Sequence, residues 1–386
     1  MADKEPLLRS IACWTLSRYS DSLKRLDPTG EKRLFEKYLQ QILLRLSDED
    51  SIVQEATCTG LINLIDSVPD QILPYAFDIL KMLVCALEIY KGPTLTGVYD
   101  AIGKLIEFMY QKKMKKDEGL DLLLPAIFKQ WDNTKDTDRL ICPLLECFES
   151  LIKVLGPDFI KWADIVLDRV LRIMANLLPL IESDIDNIQQ KTPLVDIEFI
   201  IRSIDIIGEL CNAIGPKIEP SLVKKGAVPA NIFVAACQSR NMQVRQYGCA
   251  LIGDLIKAAK EYMRGPLGQI VTLLVSYISC DSTEIELYLT VCNNSCWTLG
   301  EIVITYPEFA SECANLCIEK LANFFTVGKG KKAFAQNVAI VIGKLGLHAP
   351  EIVSRQIGKI IKGVCLSLRD LPAIDAKLYA LKYFLI

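Results

Sequence analysis

Cys249-Ala-Leu-Ile-Gly-Asp254 and Cys296-Trp-Thr-Leu-Gly-Glu301 share one pattern: apolar helical residues, a glycine, then a charge. The pattern returns as Tyr99-Asp-Ala-Ile-Gly-Lys104, Ile204-Asp-Ile-Ile-Gly-Glu209 and Ala339-Ile-Val-Ile-Gly-Lys344. Gly208, Gly253, Gly300 and Gly343 stand 45, 47 and 43 residues apart. A period of this size marks stacked helix pairs of the HEAT or armadillo type, whose repeats run ~40–47 residues. The expected fold is therefore all-α: a HEAT-repeat α-solenoid, a superhelical stack of antiparallel helix pairs. Residues 1–386 are expected to form one array of about eight to nine repeats. Such an array encloses no pocket for catalysis and offers a long concave surface instead.

Projected toward the N-terminus, the glycine column passes through Ser150, Gly103, Ile62 and Ser17. The step from Ser150 to Gly208 is 58 residues, about a dozen too long. The excess coincides with Glu182-Ser-Asp-Ile-Asp-Asn-Ile-Gln-Gln-Lys-Thr-Pro193, polar and without apolar period, so residues 182–197 are read as a loop inside one repeat. Each unit parses as an A helix, a turn and a B helix. Asp48-Glu-Asp-Ser51, Lys91-Gly-Pro93 and Ser239-Arg-Asn241 form turns before B helices. Pro69, Pro157, Pro216 and Pro307 stop the chain just after them. The glycines lie mid-helix, where each costs ~1 kcal/mol relative to Ala, and are read as letting neighbouring B helices approach. The chain opens on a B helix at Leu7–Trp14 and stops inside another at Lys377–Ile386. Without the polar outer faces of capping repeats, the array is expected to be truncated at both ends.

The composition is 51% hydrophobic and 24% charged, with a net charge of −3. Nucleic acid is disfavoured as a direct partner because phosphate binding needs a basic stripe; clustered acids would instead favour a basic partner. Lys161, Asp164, Asp168, Arg169 and Arg172 interrupt the apolar run from Ile160 to Leu180, so no membrane insertion is expected. The charged start, Met1-Ala-Asp-Lys-Glu-Pro6, lacks the apolar core of a signal peptide. Fourteen cysteines without a secretion signal point to a reducing setting, cytosolic or nuclear. Cys292, Cys296, Cys313 and Cys317 could be arranged as four thiolate ligands for zinc. Their plainer reading as small buried apolar residues is preferred, since structural zinc ligands usually sit on knuckle-like turns. No metal or cofactor is expected. Neither is an enzyme: His348 has no paired nucleophile, and Gly328-Lys-Gly-Lys-Lys332 lacks phosphate-loop spacing.

Residues four apart share a helix face. Three residues before each column position stand Trp14, Thr59, Asp100, Cys147, Asp205, Ala250, Trp297 and Ile340. One residue after it stand Arg18, Asn63, Lys104, Leu151, Glu209, Asp254, Glu301 and Lys344. Asp66, Glu107, Asn212 and Lys257 prolong this stripe. It mixes tryptophans with carboxylates, whereas a stripe buried between repeats would be uniformly aliphatic. Any single Trp is more often core, and any single acid more often a solvated surface. Together, Asp66, Asp100, Asp205 and Asp254 would make a negative groove bounded by aromatic patches, suited to an extended, basic, disordered peptide.

At these same residues the chain resembles the transportins, karyopherin-beta nuclear import receptors. The matching stretches are Arg9–Tyr19, Val53–Ala56, Tyr99–Gly103, Pro143–Cys147, Val244–Gln246, Gly253–Leu255 and Val291–Asn294 with Trp297, in the family's order. The resemblance covers the family's C-terminal, cargo-binding half and stops short of its last repeats. It implies cargo proteins, RNA-binding proteins among them, whose basic, disordered localisation signals end in Pro-Tyr. It also implies nucleoporins as partners and shuttling between cytoplasm and nucleus. By it, Trp14 and Arg18 match positions at the Pro-Tyr end, and Asp66 and Asp100 meet the signal's arginine. Thr59 and Asn63 replace a Ser and a Thr of the same wall. Asp205, Trp297 and Ile340 match a second site for the signal's upstream part. Asn212 replaces a Glu and Lys104 a Thr, which makes the groove less acidic. The repeats that bind most of Ran-GTP, and the acidic release loop, have no counterpart here. The rival expectation is a HEAT scaffold of the phosphatase type, which docks folded proteins.

Overall fold

A computed structural model describes residues 3–19, 33–114, 117–186, 196–278, 286–327 and 332–369. The described residues contain helices and no strand. Their contacts group into two units, Met1–Gly156 and Pro157–Ile386.

In the first unit the long helices are α1 (Pro6–Arg18), α2 (Arg33–Arg45), α3 (Ser51–Ser67), α4 (Ala76–Ile89), α5 (Thr94–Gln111), α6 (Asp117–Asn133) and α7 (Ile141–Leu155). Helices α1, α3, α5 and α7 pack in that order as the B layer, and α4 against α6 in the A layer. Capping sets the repeat boundaries. The Asp50 side chain accepts a hydrogen bond from the Ile52 amide at 2.9 Å, a cap contributing about 1 kcal/mol. Gly156 ends α7 at φ +57°, a conformation that L side chains rarely adopt, and Pro157 follows it. Leu61, Leu64, Leu83, Tyr99, Ile102, Leu144 and Phe148 fill the space between layers, each fully buried.

The second unit comprises α8 (Ile160–Asp186), α9 (Glu198–Ile214), α10 (Val228–Gln238), α11 (Met242–Ala258), α12 (Leu267–Tyr277), α13 (Glu286–Thr305), α14 (Ala310–Val327), α15 (Lys332–His348) and α16 (Ile357–Arg369). Its B layer runs α9, α11, α13, α15; the A layer runs α8, α10, α12, α14, α16. Asn241 caps α11 by accepting from the amides of Gln243 and Val244. Gly215 ends α9 at φ +54°.

Polar bonds one repeat long tie neighbours together. Arg9 clasps Asp48 through Nε and Nη2 at 2.9 and 2.8 Å. Asn63 donates to Ser17 Oγ at 3.2 Å, Asn294 to the Gln246 carbonyl at 2.9 Å and Asn337 to Asn293 Oδ1 at 2.8 Å. The Thr298 hydroxyl donates to the Cys249 carbonyl at 2.7 Å. Each lies near the layer interface, where an unpaired polar group would cost about 1–3 kcal/mol.

Two expectations need correction. The stretch read as a loop from residue 182 is still helix as far as Asp186. Glu182 holds that turn in place: its carboxylate accepts from the Arg240 amide at 3.1 Å and from the Ser239 hydroxyl. Residues 187–195 lie outside the described residues, as do Lys377–Ile386. The stripe also fails to reach the surface on α7, where Cys147 and Leu151 are buried. Burial and the nearby Asp100 charge push the Cys147 thiol well up.

The four cysteines weighed as metal ligands are buried on α13 and α14. Cys292 donates to the Tyr277 carbonyl at 2.8 Å, and burial pushes the Cys313 thiol up to about 12. Among the described residues no three metal-ligating side chains cluster. No described helix is long and apolar enough to cross a membrane.

Candidate functional site

The eight column positions all fall on the eight described B helices, so the stripe is a real structural register.

On the first unit, Trp14 is 50% exposed, with the Arg18 guanidinium 5.2 Å from its ring centroid. The pair needs only helical spacing, since residues 14 and 18 lie one turn apart. Ser17 between them donates to the Trp14 carbonyl and accepts from Asn63, which fastens α3 to α1 beside the aromatic. Thr59 is exposed and Asn63 half-buried one turn on. Asp66 is exposed but not open: Lys104 of α5 reaches it at 2.6 Å. Asp100 is exposed, and no cation pairs with it among the described residues. Partial desolvation edges its carboxyl upward. Trp14, Arg18, Thr59, Asp66 and Asp100 are thus exposed, and Asn63 half-buried, on α1, α3 and α5, which pack in that order.

On the second unit the carboxylates are all accompanied. Asp205 lies 3.7 Å from Arg202 on its own helix. Asp254 is half-buried beside Lys257 at 3.0 Å; desolvation raises its carboxyl despite that lysine. Glu301 is held by Lys344 at 2.9 Å, and the lysine side chain is only 5% exposed. Ile340 is half-buried on α15. The expected negative groove is therefore a mixed-charge surface in both units, because Lys104, Arg202 and Lys257 accompany Asp66, Asp205 and Asp254.

Trp297 is half-buried rather than freely exposed. Its ring lies over Gly253 of the preceding B helix, where an added methyl would stand 2.2 Å from Cζ3. The Lys257 ammonium approaches the ring centroid to 4.9 Å. Here the column glycine seats a side chain from the next stripe. The same holds at Gly300, where an added methyl would meet Lys344 Cδ at 3.1 Å, and at Gly208, where it would meet Asp254 Oδ2 at 3.5 Å. Sequence reasoning missed these lysines as functional groups. The signal was present: Glu301 and Lys344 stand at matching stripe positions one repeat apart, and Asp66 and Lys104 stand one turn apart along the stripe on successive B helices.

The paired layers define a HEAT-repeat α-solenoid. Among solved structures, importin beta in an ammonium sulfate condition superposes with a TM-score of 0.67 at 12% identity, over 99% of this chain and 51% of that one. The Kap95:Nup1 complex matches with a TM-score of 0.61 at 14% identity, over 99% and 51%. No family model matches the chain. Transportin-1 of rice is 30% identical over 373 residues, 95% of this chain and 40% of the relative. Transportin-1 of mouse is 28% identical over 378 residues, 98% of this chain and 40% of the relative. The chain is thus similar in sequence to the transportins over nearly its whole length, and similar in fold to importin beta. It spans about two-fifths of the length of the transportins it matches.

Proposed function

We propose that this chain acts as a nuclear import receptor of the transportin kind, binding extended basic localisation signals along its B-helix faces. The observation that carries the reading is the first-unit face. Trp14, Arg18, Thr59 and Asp100 stand exposed on successive B helices at the positions that the transportin resemblance assigns to a Pro-Tyr signal. A Pro-Tyr end supplies an aromatic to lie against Trp14, and a basic residue upstream supplies the cation for Asp100. Charge, rather than a deep pocket, sets such recognition, so it should weaken in salt.

The second-unit residues Asp205, Asp254, Trp297 and Ile340 are proposed as a separate cargo site for the upstream part of a signal. Two modest sites on one flexible peptide add avidity without new contacts. Cargo proteins with Pro-Tyr-type signals are the proposed partners. Nucleoporins follow by analogy with the Kap95:Nup1 complex; the transportin resemblance puts most of the Ran-GTP contact in repeats outside this sequence. Shuttling between cytoplasm and nucleus goes with this reading. The test is a binding titration of the chain with a labelled basic peptide ending in Pro-Tyr and its Ala-Ala counterpart. Preference for Pro-Tyr that disappears in Trp14→Ala supports the reading; equal binding of both peptides by both proteins overturns it.

A further inference from the structure

Lys104 and Asp66 belong to adjacent B helices and meet at 2.6 Å, with side chains 39% and 55% exposed. An internal cation therefore occupies the carboxylate that a basic ligand would otherwise use. One turn before Lys104 on the same helix stands Asp100, exposed and without a cation partner among the described residues. Asp100 is thus an open negative charge on α5, with a positive charge about 6 Å further along the same helix. A uniformly basic segment meets attraction at the first and repulsion at the second. It must also dislodge the lysine to reach Asp66.

Resting on the proposed peptide-binding role of this face, we propose that Lys104 is its specificity-determining residue. It selects extended segments that carry a carboxylate beside the basic residue over segments that are basic throughout. In an extended peptide, side chains two residues apart are about 6–7 Å apart, which matches the spacing of the two charges on α5. The partner chemistry is a zwitterionic pair: a guanidinium for Asp100 and an Asp or Glu side chain that takes Lys104 from Asp66. Asp66 then acts as the resting partner that keeps the lysine on the face when no ligand is bound.

The experiment compares two labelled synthetic peptides ending in Pro-Tyr, one containing Arg-Gly-Arg and the other Arg-Gly-Asp, by fluorescence polarisation at low salt. The protein is the full chain and two variants, Lys104→Thr and Asp66→Asn. Both variants break the same ion pair, so a merely structural role would move them alike. The proposal requires them to move apart. Lys104→Thr should bind the Arg-Gly-Arg peptide about two- to fivefold more tightly than the unaltered chain, the range of an exposed ion pair. Asp66→Asn should raise the preference for Arg-Gly-Asp by a similar factor. If both variants keep the unaltered chain's ratio while Trp14→Ala still weakens both peptides, Lys104 sets no preference and only this inference falls. If no variant, Trp14→Ala included, changes either affinity, the face itself is not the binding surface and the inference falls with that reading.

Discussion

Replacing Gly253 with Ala should destabilise the second unit, although Ala is the better helix former by about 1 kcal/mol. The added methyl would stand 2.2, 2.8 and 2.9 Å from Cζ3, Cη2 and Cε3 of Trp297. Three ring atoms at such distances cannot be accommodated, so the indole must leave its seat. Overpacking of this kind costs about 1–3 kcal/mol. The displaced ring also loses the Lys257 ammonium at 4.9 Å, about 0.5–1 kcal/mol at an exposed site. After the helix-propensity gain, the net loss is about 1–2 kcal/mol. In a Trp297→Ala background the obstacle is gone and the sign reverses, with Gly253→Ala neutral or stabilising by up to about 1 kcal/mol. The coupling between the two positions is then about 1–3 kcal/mol, within the range for residues in direct contact. Thermal and urea unfolding of the four proteins measures it. Tryptophan emission of Gly253→Ala, shifted to the red, reports the ring's exit to solvent. Equal destabilisation by Gly253→Ala in both backgrounds would refute the seating of Trp297 on Gly253.

Gly248→Ala should be the harsher change, since its methyl would lie 2.6 Å from the carbonyl carbon of Ala236 and from the amide nitrogen of Cys237. Backbone cannot swing aside, so a loss of about 3 kcal/mol is expected in urea unfolding; Gly268→Ala, with nothing within 4 Å, should cost nothing. The Arg9 guanidinium, by hydrogen bonding, holds the Asp48 carboxyl below its ordinary range. The stability this gives is present above about pH 4 and is lost as pH falls through the depressed folded value. Asp48→Asn should therefore cost about 1–3 kcal/mol at pH 7, with the gap to the unaltered chain closing in acid melts. Asp100→Lys should weaken a basic Pro-Tyr peptide by about 1–2 kcal/mol, roughly five- to thirtyfold, at low salt. At 1 M salt, where the Debye length is about 3 Å, the loss should largely vanish; an undiminished loss would mean that the substitution disturbs packing instead.

The helix register was legible because glycine recurs at one place in five of the eight described B helices. Gly103, Gly208, Gly253, Gly300 and Gly343 all fall within B helices, and Asp50 and Asn241 cap helices where turn clusters were read. Local chemistry sufficed for these. The extent of α8 was not legible, because what holds Glu182 in helix is the Ser239–Arg240 turn, far along the chain. The reach of the stripe also depended on packing. Trp14 and Trp297 occupy the same stripe position, yet one stands half in solvent and the other lies on a glycine. The negative groove was overstated for a related reason. Arg202 and Lys257 pair with Asp205 and Asp254 three residues away on the same helices, while Lys104 and Lys344 pair with acids one repeat earlier.

The central claim, that exposed stripe residues in each unit bind different parts of one extended signal, is tested most directly by a two-by-two titration. Trp14→Ala and Trp297→Ala are each measured against a peptide lacking its Pro-Tyr end and a peptide lacking its upstream basic and apolar anchor. Trp14→Ala should weaken mainly the peptide that keeps Pro-Tyr, and Trp297→Ala mainly the one that keeps the upstream anchor. Equal losses in all four combinations, or no loss in any, would contradict the account.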